Sequence, residues 1–230
     1  MDQESIQAEY FAIANRLMPS LIHQINNWML AVRGALTLAM EDINDPEELS
    51  VYIQLSLKET NQVVGLVNQL NQMYFPHSNE VETFDVNQLL EGTISLTRKE
   101  LNQQNVNLIM ELEPVSIPIT AIVSQLRYVF LILLLGLGDA ISEAGGGDLQ
   151  LLSNMMPGKV RVELNTDTLI EAITSWTPEI APTIPQDKES LSYILSMLHE
   201  IISANGGVFG VKQDKEQVNL RIDLPLSSPG

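Results

Sequence analysis

No cysteine occurs in the 230-residue chain, so disulfides, thiolate-held metals and a cysteine nucleophile are all excluded. A reducing, cytoplasmic setting is the corresponding expectation. Basic residues are scarce as well: 12 Lys and Arg stand against 29 Asp and Glu, a formal charge of -17. Such a surface repels the phosphates of nucleic acid and of anionic lipid, which argues against either as a partner. It also offers little to a nucleoside triphosphate, which is ordinarily met by Lys, Arg or backbone donors. Long hydrophobic runs are missing. The most apolar stretch, Tyr128 to Leu137, is about half the length of a membrane-spanning helix, and Gly136, Gly138 and Asp139 close it. It reads as a buried core helix, and no membrane partner is expected. The opening residues Met1, Asp2, Gln3 and Glu4 lack the basic segment and short apolar run of a secretory signal. Neither a nucleophile elbow nor a paired set of carboxylates suggests a hydrolase.

What is present is 45% apolar residues, ample for packed cores. From Ile6 to Met40 the residues Tyr10, Ile13, Leu17, Leu21, Ile25, Trp28, Val32, Leu36 and Ala39 fall three or four apart, one stripe of a long helix. Asp42 to Pro46 carries turn formers, with Asp45 placed to cap a second helix and Pro46 at its first position. That helix, Pro46 to Tyr74, repeats the spacing through Leu49, Ile53, Leu57, Thr60, Val63, Val67 and Leu70. Two such arms make a poor core alone. Dimerisation into a four-helix bundle buries their stripes most simply, so a homodimer is expected.

Pro76 and its neighbours break the periodicity. The expected divisions are a helical hairpin over residues 1–75, a linker over 76–85, a second domain over 86–226 and a frayed tail over 227–230. In the second domain the pattern predicts helices over Val86–Gln103, Ala121–Glu143 and Lys188–Ala204. Strands are predicted over Val106–Glu113, Leu149–Met155, Lys159–Leu164, Val208–Gln213 and Val218–Leu224. Helices on one face of a mixed sheet make an α+β layer. Gly145, Gly146 and Gly147 follow a helix rather than opening one, so they read as a helix stop and not a phosphate loop. His77 and His199 have no second histidine at metal spacing and read as structural or solvated, so no metal is expected. Met155, Met156 and Met197 read as fillers of core gaps.

A long helical hairpin followed by an α/β sandwich resembles the sensor histidine kinase core: a dimerisation and phosphotransfer hairpin joined to an ATPase-type domain. His23, Gln24, Ile25, Asn26 and Asn27 resemble the H-box of that family, of the type HEINNPL. Phe84 to Leu89 resemble the approach to its ATP domain, Gln125 to Ala140 its N-box helix, Ile201 to Val208 its IVEAHGG segment, and Asp223 to Pro225 its last strand. The resemblance implies His23 as phosphoacceptor, supported by Gln24, Asn26 and Asn27, with a response regulator receiver domain or a partner kinase as partner.

The same resemblance implies that the nucleotide site is lost. Where the N-box carries two Asn, the second helping to hold magnesium, this chain has Ile132 and Gly136. Neither offers a side-chain oxygen to an ion that needs octahedral oxygen coordination. Asn165 to Leu169 stand at the DxGxG turn without its glycines, and Ser190 to Leu195 at the GxGLGL turn without any. No cofactor is therefore expected. His23 points away from the Leu21 and Ile25 stripe and should be accessible. Its usual acidic companion is Gln24, and Trp28 replaces the proline five residues on, while Pro19 sits one turn upstream. The resulting expectation is a phosphorelay phosphotransferase working on His23 without ATP. The alternative is a pseudokinase scaffold that binds a regulator or kinase without transfer. An active ATP-dependent kinase would need replacements for all the lost motifs.

Overall fold

The computed structural model describes residues 3–74, 80–168, 191–213 and 217–227. The chain divides into two compact units, residues 4–76 and residues 77–230. The first holds two helices, α1 (Gln3–Glu41) and α2 (Pro46–Tyr74). Between them the Asp42 amide donates to Leu38 O at 2.9 Å and the Asp45 amide to Asp42 O at 2.9 Å. Asp45 caps α2 as its sequence position suggests, with Oδ1 accepting the Glu47 and Glu48 amides at 3.1 and 3.3 Å. Glu47 and Glu48 also suit the positive end of the helix dipole.

Ile13, Leu17, Leu21, Val32 and Ala39 of the predicted α1 stripe are buried, joined by Ala14 and Ala35, and by Leu66 of α2. Leu36, Ile53, Leu57 and Val67, placed in the same stripes by spacing, are instead 47%, 44%, 59% and 40% exposed. Each helix carries apolar residues on two adjoining faces, and a spacing of three or four merges them into one.

The second unit contains β1 (Glu82–Asp85), α3 (Val86–Gln103), β2 (Val106–Glu111), β3 (Pro118–Ala121), α4 (Val123–Glu143), β4 (Gly147–Met156), β5 (Lys159–Thr166), α5 (Leu191–Ala204), β6 (Val208–Gln213) and β7 (Val218–Pro225). Five strands form one mixed sheet in the order β2-β4-β5-β7-β6, with β2 parallel to β4 and the remaining pairs antiparallel. Its inner face, packed on the helices, presents Leu108, Leu149, Leu151, Val160, Val162, Leu164, Leu220, Ile222 and Leu224, all buried. The unit is thus the expected α+β layer.

Glu82–Asp85, expected within the linker, instead pair antiparallel with Pro118–Ala121 as a separate two-stranded sheet. Both strands have four residues, too few for alternation to register, and Pro118 stands at the head of the second. Ser227, expected in the tail, donates its amide to Pro118 O at 3.0 Å, and its hydroxyl meets that of Thr120 at 2.8 Å. Met197 is buried as expected, whereas Met155, opposite Val160 near the end of β4, is 43% exposed. The 75–79 segment, with His77, and residues 188–190 of the last predicted helix lie outside the described residues.

Asp85 begins α3 with extended backbone, its Oδ1 accepting the Asn87 amide at 2.9 Å. After α4, Gly145 and Gly146 adopt φ of 107° and 93°, closing the helix rather than opening a phosphate loop. A Cβ on Gly146 would stand 2.8 Å from the Asn105 carbonyl oxygen. Among the described residues α4 alone is long and apolar enough in composition to cross a membrane; 61% of its apolar window is buried inside the protein. Leu126, Tyr128, Val129, Phe130 and Leu131 reach 0% exposure, as in the core helix of a folded domain.

Candidate functional site

In the first unit α1 runs through His23 with Pro19 one turn before it. Proline has no N–H to give to the carbonyl four residues back, so that turn lacks a helical bond. Beside it the Ser20 hydroxyl donates to Leu17 O at 3.0 Å, a bond that competes with the helix ladder. His23, Asn26 and Asn27 are exposed on the side away from buried Leu17 and Leu21. Residues three and four apart neighbour one another on a helix, so these three polar side chains share one open surface. Gln24 is turned aside: half-buried, with Oε1 shielded from solvent and without a hydrogen-bond partner among the described residues. The residue following His23 therefore presents neither a carboxylate nor its amide oxygen to that surface.

In the second unit Ile132 and Gly136 lie one turn apart on α4, both half-buried. Farther along, the Asp139 carboxylate accepts Gln104 Nε2 at 2.6 Å, tying α4 to the end of α3. The two helices approach closely at Gly138, where a Cβ would collide with the Leu101 side chain and stand 2.9 Å from Gln104 Oε1.

The end of β5 shifts the sequence assignment by one residue. Val160, Val162, Leu164 and Thr166 face inward and are buried, whereas Asn165 faces outward and accepts Asn219 Nδ2. Thr166, 3% exposed, is thus the inward group at the strand terminus, where counting along the sequence put Asn165. Its hydroxyl accepts the Thr168 amide at 3.2 Å. The inward group at this strand end is thus a hydroxyl engaged with its own backbone. Leu169, Ser190 and the side chains of Leu191 and Ser192 lie outside the described residues. Among the described residues no group of three or more His, Asp and Glu is placed to hold a metal ion.

One charged cluster escaped the sequence reading. Asp223 is only 6% exposed and accepts Lys159 Nζ at 2.7 Å, Arg161 Nε at 2.8 Å and Arg161 Nη2 at 3.1 Å. The bonds from Arg161, followed by that from Lys159, outweigh burial and hold the Asp223 carboxyl at about 2. Alternation could have found the cluster, because all three residues occupy outward positions of paired strands.

No family model matches the chain. Among curated proteins, the signal transduction histidine-protein kinase AtoS of Escherichia coli is 30% identical over 139 residues, 60% of this chain and 23% of that protein. The sensory histidine kinase/phosphatase NtrB of Rhizobium meliloti is 22% identical over 225 residues, 92% of this chain and 58% of that protein. The chain therefore spans less than two thirds of the length of these relatives. Among solved structures, the catalytic domain of histidine kinase ThkA superposes with a TM-score of 0.52 at 21% identity, covering 64% of this chain and 95% of that one. ThkA in complex with the response regulator protein TrrA gives a TM-score of 0.50 at 19% identity, over 96% of this chain and 64% of that one.

Proposed function

We propose, from the premise that this chain is built as a sensor histidine kinase core with a catalytic ATPase-type domain, that it serves two-component signalling as a phosphorelay phosphotransferase independent of ATP. One observation carries the reading: His23 is exposed on α1, while α4 has Ile132 and Gly136 where the family resemblance puts the two N-box asparagines, the second of which helps to hold magnesium. Thr166 at the end of β5 supports it, since its hydroxyl is no substitute for a carboxylate toward an adenine amino group.

In the proposed step a neutral ring nitrogen of His23 attacks the phosphorus of an aspartyl phosphate on a receiver domain. The acyl phosphate P–O bond breaks, the regulator carboxylate leaves, and the second ring nitrogen retains or releases its proton to solvent. The reverse step returns the phosphoryl group to a receiver. Magnesium belongs to the acidic pocket of the regulator, so the missing ligands on α4 do not hinder the transfer. The ThkA–TrrA complex, a kinase of this fold holding a response regulator, supports a receiver as partner.

A homodimer follows from the uncovered apolar residues. Ile22, Met29 and Leu36 recur every seven residues on α1 with 50%, 48% and 47% exposure, and Leu57, Val64 and Val67 line α2 with 59%, 52% and 40%. Heptad spacing is the seam of a four-helix bundle, here completed by a second hairpin.

The test uses receiver domains phosphorylated with acetyl phosphate and the full chain without ATP. Label should move to the wild-type protein, as an acid-labile, base-stable phosphohistidine, and not to His23→Ala. Binding of the receiver with no transfer would select the second reading, a pseudokinase scaffold, which the inward-turned Gln24 amide favours. In a separate titration a fluorescent ATP analogue with magnesium should fail to bind. Micromolar binding displaced by ATP would restore the active-kinase reading.

A further inference from the structure

The sheet order leaves β6 at an edge, where among the described residues it pairs only with β7. The outer face beside this edge is unlike the rest of the chain. Lys159 and Arg161 on β5, Arg221 on β7 and Lys212 on β6 lie there, drawn from 12 basic residues in the whole sequence. Among the described residues of β5, β6 and β7, the carboxylates on this face are Asp223, already engaged by Lys159 and Arg161, and Glu163, which accepts Asn219 Nδ2 at 3.5 Å. A local positive excess thus sits on a protein with a formal charge of -17.

Arg221 is the least engaged member. Its buried Nε ion-pairs with Asp223 Oδ2 at 3.8 Å but makes no hydrogen bond among the described residues. Across the strand pair its partner is Gly210, and the guanidinium lies over that glycine, with Nη2 3.7 Å from where a Cβ would be. The missing side chain lets Arg221 reach across β6 toward the open edge. Lys212, exposed, stands two residues along on the same face.

We propose that the β6 edge docks an extended acidic segment of a partner protein, added as a sixth strand with its carboxylates on Arg221 and Lys212. Strand addition supplies main-chain hydrogen bonds, and alternate side chains meet the cationic face. A guanidinium prefers a planar carboxylate. A second copy of β6 is a poor occupant because it would set Lys212 and Arg221 against their own equivalents. Nucleic acid is disfavoured by the net charge of the remaining surface.

The test titrates the full chain into a fluorescein-labelled peptide of about ten residues alternating Glu and Val, long enough to line one strand. The acidic peptide should bind and shift the amide resonances of residues 208–213, whereas a Lys/Val peptide should not bind and inorganic phosphate should not displace it. Arg221→Gln and Lys212→Gln should each weaken binding at least about fivefold, and rising salt should weaken it further. Arg221→Lys, which keeps the charge and loses the fork, should fall between wild type and Arg221→Gln. Absence of binding, equal affinity for the Arg221→Gln/Lys212→Gln double variant, or shifts that spare 208–213 would overturn the proposal. Self-association of Lys212→Gln with unchanged peptide binding would also overturn it, because Lys212 would then serve only to blunt the edge.

Discussion

Asp223 accepts three hydrogen bonds from two cations, and the bonds from Arg161 lead the causes that hold its carboxyl at about 2. An unfolded Asp titrates near ~3.9, above the folded value, so protons bind the unfolded chain more readily. The stabilisation is fully present above that unfolded value and is lost as pH falls through the interval from about 4 to about 2. The Asp223 side chain is 8% exposed but Lys159 and Arg161 are 36% and 22% exposed, so solvent screens part of the attraction. Asp223→Asn should lower stability in urea by about 2 kcal/mol at pH 7, the scale of a charged hydrogen bond. The gap between variant and wild type should narrow as pH falls toward 2, where about half of the folded Asp223 carboxyl is protonated. A gap that persists unchanged at that pH would mean that shape rather than charge fixes the site.

At the scale of elements, the start of α3 organises the smaller sheet and the loop beside it. Asp85 Oδ1 accepts the Asn87 amide at 2.9 Å and the Ile117 amide at 3.3 Å, bridging the helix cap to the strand that follows β2. Asn87 Nδ2 donates to Glu113 O at 2.8 Å, and its Oδ1 accepts the Ser153 hydroxyl at 2.8 Å. Burial alone would raise the Asp85 carboxyl, but bonds from Ser116, Asn87 and Ile117 bring it below its ordinary value. Asp85→Ala should therefore destabilise the protein by about 1–2 kcal/mol, as lost caps do, with amide exchange accelerating first at residues 86–89 and 117. Uniform acceleration across the sheet would deny Asp85 its local role. Long periodic elements such as α1, α2 and α4 could be read from spacing because a wide apolar face repeats over many turns. The four-residue β1 and β3 could not, since their pairing rests on backbone bonds that leave no pattern in side chains. His23 was legible as exposed from its angle to Leu21. That Gln24 turns inward was not, because a residue at a stripe boundary takes its orientation from packing, and Thr166 needed the strand register to separate it from Asn165.

The whole molecule sets two large terms against each other. The hairpin exposes Ile22, Met29, Leu36, Leu57, Val64 and Val67, whose burial favours a second copy, while each copy carries a formal charge of -17. Apolar burial contributes about 25 cal/mol per Å² and is little affected by moderate salt, whereas repulsion between like-charged protomers is screened within about 8–10 Å at physiological ionic strength. Dimerisation should consequently tighten as sodium chloride rises from about 20 to about 300 mM, with at least about a tenfold fall in the dissociation constant by analytical ultracentrifugation. Met29→Lys or Val64→Lys should yield a folded monomer at every salt concentration, because an ammonium placed in the seam must be desolvated without a partner. If the protein is monomeric at high salt, the apolar rows serve another partner and the four-helix bundle is withdrawn. If it dimerises equally at both salt concentrations and survives both lysine variants, the copies meet elsewhere than on these rows.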